Sequence, residues 1–296
     1  MKSERFNLEF KSMIEGDFVN SNVLTAVKQA GKTALEVRDR GLVAKQKASK
    51  EDLVTQGDLL VTQQLKSSLT VLFGDIVFMD EETSETHGLN LQTDKTIAVV
   101  DPIDGTGNYY ESYMNSQRPE SEQKAGTENW GLSVGFVKNG EVVGGVIYQP
   151  ELDRIYYTER GKGAYLDHKR LHVNETAQVT DSQPYFDFPY PHDKVEYDQT
   201  TRLLSLLESQ LHTKKPVKLG SQVIEIMQVA EGNADFFFCL KTKPWDVAAA
   251  VSIISESGGI TTNKYGTPYR LFEENIVFKN ATIDLTQFYE SVENAA

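Results

Sequence analysis

Cysteine is nearly absent from this sequence: Cys239 stands alone. No disulfide can form within the chain, and a reducing, cytoplasmic setting is the expectation. Positive charge is also scarce. Against 43 Asp and Glu there are 30 Lys and Arg, a net charge of −13. That balance argues against a nucleic-acid polymer as partner, because phosphates in bulk need a basic face. It leaves room for a small phosphorylated molecule, since a local field can oppose the total. No stretch approaches the roughly 20 apolar residues of a membrane span. The opening MKSERFNLEFKSMIEGDF lacks the apolar centre of a signal peptide, so no membrane partner is expected. Repeats at solenoid spacing and low-complexity tracts are missing as well. The five histidines, His87, His168, His172, His192 and His212, sit in polar surroundings and are read as surface residues.

What is present is a succession of short periodic segments. Residues 17–47 carry spaced apolar positions, Val23, Val27, Ala30, Ala34 and Val37, and read as a helix. A second helix begins near Gly57 and ends at Gly74. "DIVFMDEET" and "KTIAVVDPIDGT" are strands running into acids, and "WGLSVGFVKNGEVVGGVIYQP" is a hairpin turning at Lys138-Asn139-Gly140. After about residue 180, helix and strand alternate: "PYFDF" and "ADFFFCL" are strands, "SQVIEIMQVAEG" and "KPWDVAAAVSIISESGG" helices closed by glycine. The expected fold class is α/β (α+β), with helices stacked on sheets in several layers. Two parts are expected: 1–180, with hairpins and most of the acidic motifs, and 181–296, completing the site.

Carboxylates gather where apolar elements end or begin: Asp80-Glu81-Glu82, Asp101 with Asp104, and Asp246. Open α/β sheets bind ligands at such rims. Crowded carboxylates repel and hold protons unless a cation lies between them, and a hard divalent ion, Mg²⁺ above all, takes oxygen ligands of this kind. Pro102 restricts Asp101 to extended geometry, which aims Asp101, the Ile103 carbonyl and Asp104 at one place. Gly105 and Thr106 then offer N–H groups to an anion at a helix start. Taken singly, each motif has an ordinary explanation: a turn, a solvated patch, a first-turn acid. Together and in this order they point to a metal cradle beside a phosphate nest. An EF-hand loop is excluded, because its third and fifth positions would be Ile103 and Gly105. The acids also stand three apart, not two apart as in the D-x-D motif of haloacid-dehalogenase-type phosphatases.

Asp58 within "EDLVTQGD", "DEET" at 80–83, "DPIDGTGN" at 101–108 and "PWDVAAA" at 244–250 resemble, in order and spacing, the inositol monophosphatase family of lithium-sensitive, metal-dependent phosphatases. The resemblance runs from about residue 20 to 290. It implies a layered α-β-α-β-α fold and a homodimer. Glu81, Asp101 and the Ile103 carbonyl would hold one Mg²⁺, and Asp101, Asp104 and Asp246 a second, with room for a third, weaker ion near Glu81. Phosphate monoesters of small sugars or inositols would be cleaved by direct attack of an activated water, oriented by Thr106 with Asp58, with Glu81 beside it. Asp104 and the Gly105 and Thr106 amides would meet the substrate, with Gly220 and Ser221 opening a helix on its other side. Trp245 would set the angle of Asp246, and Glu82 would support from behind.

The chain also departs from the family pattern. Asp80 replaces a Gly and is expected to add charge near the metals, and Ala250 replaces the final Gly of the last motif. Cys239 stands where inositol phosphatases carry a Glu that bonds a ring hydroxyl. The polar stretch 111–129 is expected to be a loop longer than the family's, either a disordered insertion or a lid or dimer contact. Lys241 and Lys243 are candidates to meet a second phosphate, which keeps open a bisphosphate nucleotidase or a fructose-1,6-bisphosphatase-like activity. A non-catalytic regulator on the same scaffold is the remaining alternative.

Overall fold

The computed structural model describes residues 17–41, 44–46, 53–83, 93–188 and 194–294. Seven α-helices lie among them: α1 (Ser21–Asp39), α2 (Gln56–Phe73), α3 (Thr106–Ser116), α4 (Lys194–Ser209), α5 (Gln222–Ala230), α6 (Pro244–Glu256) and α7 (Thr286–Asn294). The first helix is shorter than the expected span of 17–47. Arg40 caps it, Gly41 takes a left-handed φ of 103°, and strand β1 (Ala44–Gln46) follows, paired with β2 (Leu53–Thr55). No helix among the described residues is long and apolar enough to cross a membrane. His168, His172 and His212 are exposed as expected, while His87 and His192 lie outside the described residues.

The largest sheet has seven strands in sequence order: β3 (Ile76–Asp80), β4 (Thr96–Asp104), β5 (Gly131–Lys138), β6 (Glu141–Gln149), β7 (Arg154–Glu159), β8 (Ala164–Leu166) and β9 (Lys169–Arg170). Only β3 and β4 run parallel. The β5–β6 hairpin closes through Asn139 and Gly140, both with positive φ, the pairing a two-residue turn demands. A second sheet orders β10 (Pro184–Phe186), β11 (Phe236–Cys239), β13 (Ile276–Lys279) and β12 (Ile260–Thr262), with β10 and β11 parallel.

Strand alternation builds the layers. On β4, Ala98 and Val100 face α1 and α2, where Val27, Leu65 and Leu69 cover them. On β11, Phe237 and Cys239 face α5 and α6, while Phe236 and Phe238 face Leu203, Leu207 and Phe288 of α4 and α7. The order is therefore helices, seven-stranded sheet, helices, four-stranded sheet, helices: the α-β-α-β-α layering expected. Small residues let α6 lie directly on the larger sheet. A Cβ on Gly135 would come within 2.7 Å of Ala248 Cβ, and one on Gly145 within 2.6 Å of Ala249 Cα. This close seating carries the first turn of α6, with Asp246, toward the end of β4.

The stretch 111–129 is more ordered than its polarity suggests. Residues through Ser116 continue α3, and a short 3-10 turn spans Glu120–Glu122. The Asn115 amide nitrogen donates to Lys124 O at 2.9 Å and Thr127 Oγ1 at 3.2 Å, and its oxygen accepts the Lys124 N–H. One buried amide thus folds the segment back on the helix and supplies the partners that its polar sequence leaves unstated.

Candidate active site

In a regular strand, residues three apart face opposite sides. In β4 the register shifts: Asp101 pairs with Ser133, while Asp104 pairs with Gly131. Three steps on β4 match two on β5, so one extra residue is absorbed as a bulge, and both acids reach the same side. Pro102 fits there because a bulge tolerates a residue without an N–H. Oxygens of Asp101, Asp104 and Asp246 come within 4.8 Å of one another.

All three carboxyls are buried, and no Lys or Arg pairs with any of them among the described residues. Burial raises the Asp101, Asp104 and Asp246 carboxyls above their ordinary range, and the neighbouring acids, Glu81 included, raise them further. Asp104 is pushed up to about 7 even though Ser221 and Val223 bond to it. Each acid is aimed by the backbone. The Ile103 N–H donates to Asp101 at 3.0 Å, and the Lys243 N–H to Asp246 at 3.0 Å. Asp104 Oδ2 accepts from Ser221 Oγ and from the Val223 N–H at 2.9 Å, so it serves as the anion at the start of α5. Three buried oxygen-only groups with no basic partner match the donor set a hard divalent cation takes.

The remaining sequence-derived residues surround this cluster. Glu81 follows β3 and adds to the field on all three acids, but its oxygens are not within the 4.8 Å group. Glu82 follows on the same turn, partly buried. Asp58 lies in the first turn of α2, on the buried stripe with Gly57, Val61, Thr62, Leu65 and Leu69, and its charge is felt at Asp101. Thr106 Oγ1 donates to the Ile103 carbonyl at 3.1 Å, so these two groups are joined to each other. Trp245 packs partly buried against the cluster of Met79, Ile97, Val99, Val137 and Ala248.

Gly105 caps α3 with a φ of 83°, where a Cβ would meet Ser221 Cβ at 2.9 Å and Gly220 O at 3.1 Å. The starts of α3 and α5 therefore meet beside the acids. Asn108 staples them by donating to Asn129 O at 2.6 Å and Leu219 O at 2.8 Å. The start of α3 favours a bound anion, while that of α5 already meets the Asp104 carboxylate.

Some expectations are corrected. Asp80 does not add free charge to the cluster. Its carboxylate is closed by Lys66 at 2.7 Å and by Thr83 N and Oγ1 at 3.0 and 2.6 Å, and it is not among the charges that raise the three carboxyls most. Lys241 is paired with Glu274, which removes it as a ready partner for a second phosphate. Cys239 is fully buried, with its thiol pushed up by burial. Asp187 is not among the acids that the sequence pattern singles out, although "PYFDF" carries the same signal, an acid closing an apolar strand. Its charge raises Asp104 and Asp246.

The sequence model of the inositol monophosphatase family matches residues 17–295. The fructose-1,6-bisphosphatase/inositol-1-monophosphatase of Thermotoga maritima is 29% identical over 237 residues, covering 79% of this chain and 80% of that protein. Human inositol monophosphatase 2 is 30% identical over 234 residues, 78% and 75% of the two chains. Among solved structures, the extragenic suppressor protein suhB of Bartonella henselae superposes with a TM-score of 0.78 at 22% identity, over 93% of this chain and 98% of that one. That last likeness concerns the fold.

Proposed function

The chain belongs to the inositol monophosphatase family and is a phosphatase of that family; from that premise we propose that it hydrolyses the phosphate monoester of a small sugar or inositol with Mg²⁺ as cofactor. The observation that carries the reading is the convergence of Asp101, Asp104 and Asp246 within 4.8 Å, buried and, among the described residues, without basic partners, beside two helix starts. Glu81, Asp101, the Ile103 carbonyl, Asp104 and Asp246 would hold two Mg²⁺, with a third, weaker ion near Glu81. The ions would supply Lewis-acid charge that neutralises the ester phosphate and makes water easier to deprotonate.

The chain's own residues do the rest. The Gly105 and Thr106 N–H groups, at the start of α3, cradle phosphate oxygens. The Thr106 hydroxyl would orient the attacking water and accept its proton as it passes its own to the Asp58 carboxylate, with Glu81 at the same edge. Ser221 holds Asp104 in place, and the Gly220–Ser221 backbone borders the leaving group. The site draws on both proposed parts of the chain, 1–180 and 181–296. A cytoplasmic homodimer is proposed on the family premise.

Phosphate release from a panel of sugar, inositol and nucleotide phosphates, with Mg²⁺ and with a chelator, tests this reading. Mg²⁺-dependent release from sugar or inositol monoesters is expected. Preference for 3′,5′-bisphosphates would replace the substrate class, and no turnover of any monoester would leave a non-catalytic scaffold.

A further inference from the structure

One ion pair at the edge of the site has no part in the chemistry above. β10 lies parallel to β11 with Phe186 level with Phe238, and the next N–H, that of Asp187, donates to Phe238 O at 3.2 Å. Asp187 thus arrives level with Cys239. Its carboxylate pairs with the Lys218 ammonium and accepts the Phe188 N–H at 2.9 Å. Lys218 lies just before the segment that reaches the metal acids: the Leu219 and Gly220 N–H groups bond to Glu225, and Ser221 bonds to Asp104. Its ammonium also lies 5.4 Å from the centre of the Phe188 ring, which stacks on Tyr197 at 4.8 Å. The pair stays partly open to solvent, at 15% for the Asp187 side chain and 38% for Lys218. Through Lys218 the pair is joined to the segment whose Ser221 bonds to Asp104, and the Asp187 charge raises the Asp104, Asp246 and Glu225 carboxyls and the Cys239 thiol.

We propose that Asp187 and Lys218 read the leaving group of the ester, acting as one acceptor and one donor for the hydroxyls of an uncharged polyol or sugar. The inference rests on the phosphatase reading above. A lysine alone at this rim would favour a second phosphate. With Asp187 bonded to it the pair is neutral, and the carboxylate opposes a further anion. A hydroxyl both donates and accepts, so it satisfies the two members together. An ester lacking the hydroxyl leaves them without a substrate partner, which is how a polar site rejects an analogue. Cys239, buried one strand over, supplies no such acceptor.

The test measures kcat/KM with Mg²⁺ for inositol 1-phosphate, p-nitrophenyl phosphate and fructose 1,6-bisphosphate in the wild type and in Asp187→Ala, Asp187→Asn and Lys218→Met. Ratios between substrates cancel changes in the field at the metal acids, which all three esters share. In Asp187→Ala the inositol-to-aryl ratio falls about 10-fold, and the bisphosphate-to-inositol ratio rises by a similar factor because Lys218 is released. Asp187→Asn, nearly the same shape without the charge, shows the second change even if the alanine variant folds poorly. In Lys218→Met the inositol-to-aryl ratio falls and the bisphosphate gains nothing. Equal losses on all three esters, or ratios unchanged within about twofold, overturn the assignment. A wild type that turns over none of them overturns the phosphatase reading, and this inference with it.

Discussion

Asp80 and Asp101 stand on neighbouring parallel strands, with Asp80 level with Val100, and both are almost fully buried. Their surroundings differ. Asp80 is closed by Lys66 and Thr83, so its charge is spent inside the fold. Among the described residues, Asp101 meets other acids and one backbone N–H, and burial with like charge drives its carboxyl upward. A buried carboxylate with an internal cation is a structural member. One with none is costly in isolation, and it persists where something from outside neutralises it. The contrast separates scaffold from site more sharply than burial does.

Substitutions on either side of this contrast should have different consequences. The largest effect is expected at Asp104→Asn, where turnover should fall by at least about 10³-fold while the far-ultraviolet spectrum and melting curve stay near wild type. Retained turnover would put Asp104 on the scaffold side with Asp80. Lys66→Met should do the opposite. It leaves Asp80 buried without its cation, so urea unfolding should show a loss of about 3 kcal/mol, with the magnesium midpoint of activity unmoved. A shifted midpoint with unchanged stability would dissolve the distinction.

The smallest effect expected is one of pH. Asp104 titrates near 7 in the fold against 3.8 when unperturbed, and Asp101 and Asp246 are raised in the same direction. Folding therefore favours the protonated forms. Without metal, stability is greatest below about pH 4 as far as these groups are concerned, and it is lost as pH rises through about 7. A cation that needs the ionised forms reverses the trend. Mg²⁺ should thus raise the melting temperature more at pH 8 than at pH 5.5. Equal increments at the two pH values would separate the three acids from metal binding.

Much of this was legible in the chain because local signals and tertiary roles agree. The Asn139-Gly140 hairpin, the α3 start at Thr106 and the first-turn Asp246 all form where the sequence indicates. The difference between Asp80 and Asp101 is not legible there, because it depends on Lys66, 14 positions before Asp80 in sequence but 2.7 Å from its carboxylate in the fold. Nor could periodicity show that Asp104 caps α5 through Ser221 and Val223, more than a hundred residues on. Asp187 is silent in the sequence for the same reason: its meaning comes from β10 lying beside β11, a pairing that neither strand announces alone.

The central claim is that Asp101, Asp104 and Asp246 together hold divalent cations. Anomalous diffraction from crystals soaked in Mn²⁺, as a stand-in for Mg²⁺, tests it most directly. The account predicts a peak about 2.2 Å from oxygens of all three residues, absent in Asp104→Asn. Peaks confined to other parts of the molecule, with these carboxylates bonded only to protein and water, would contradict it.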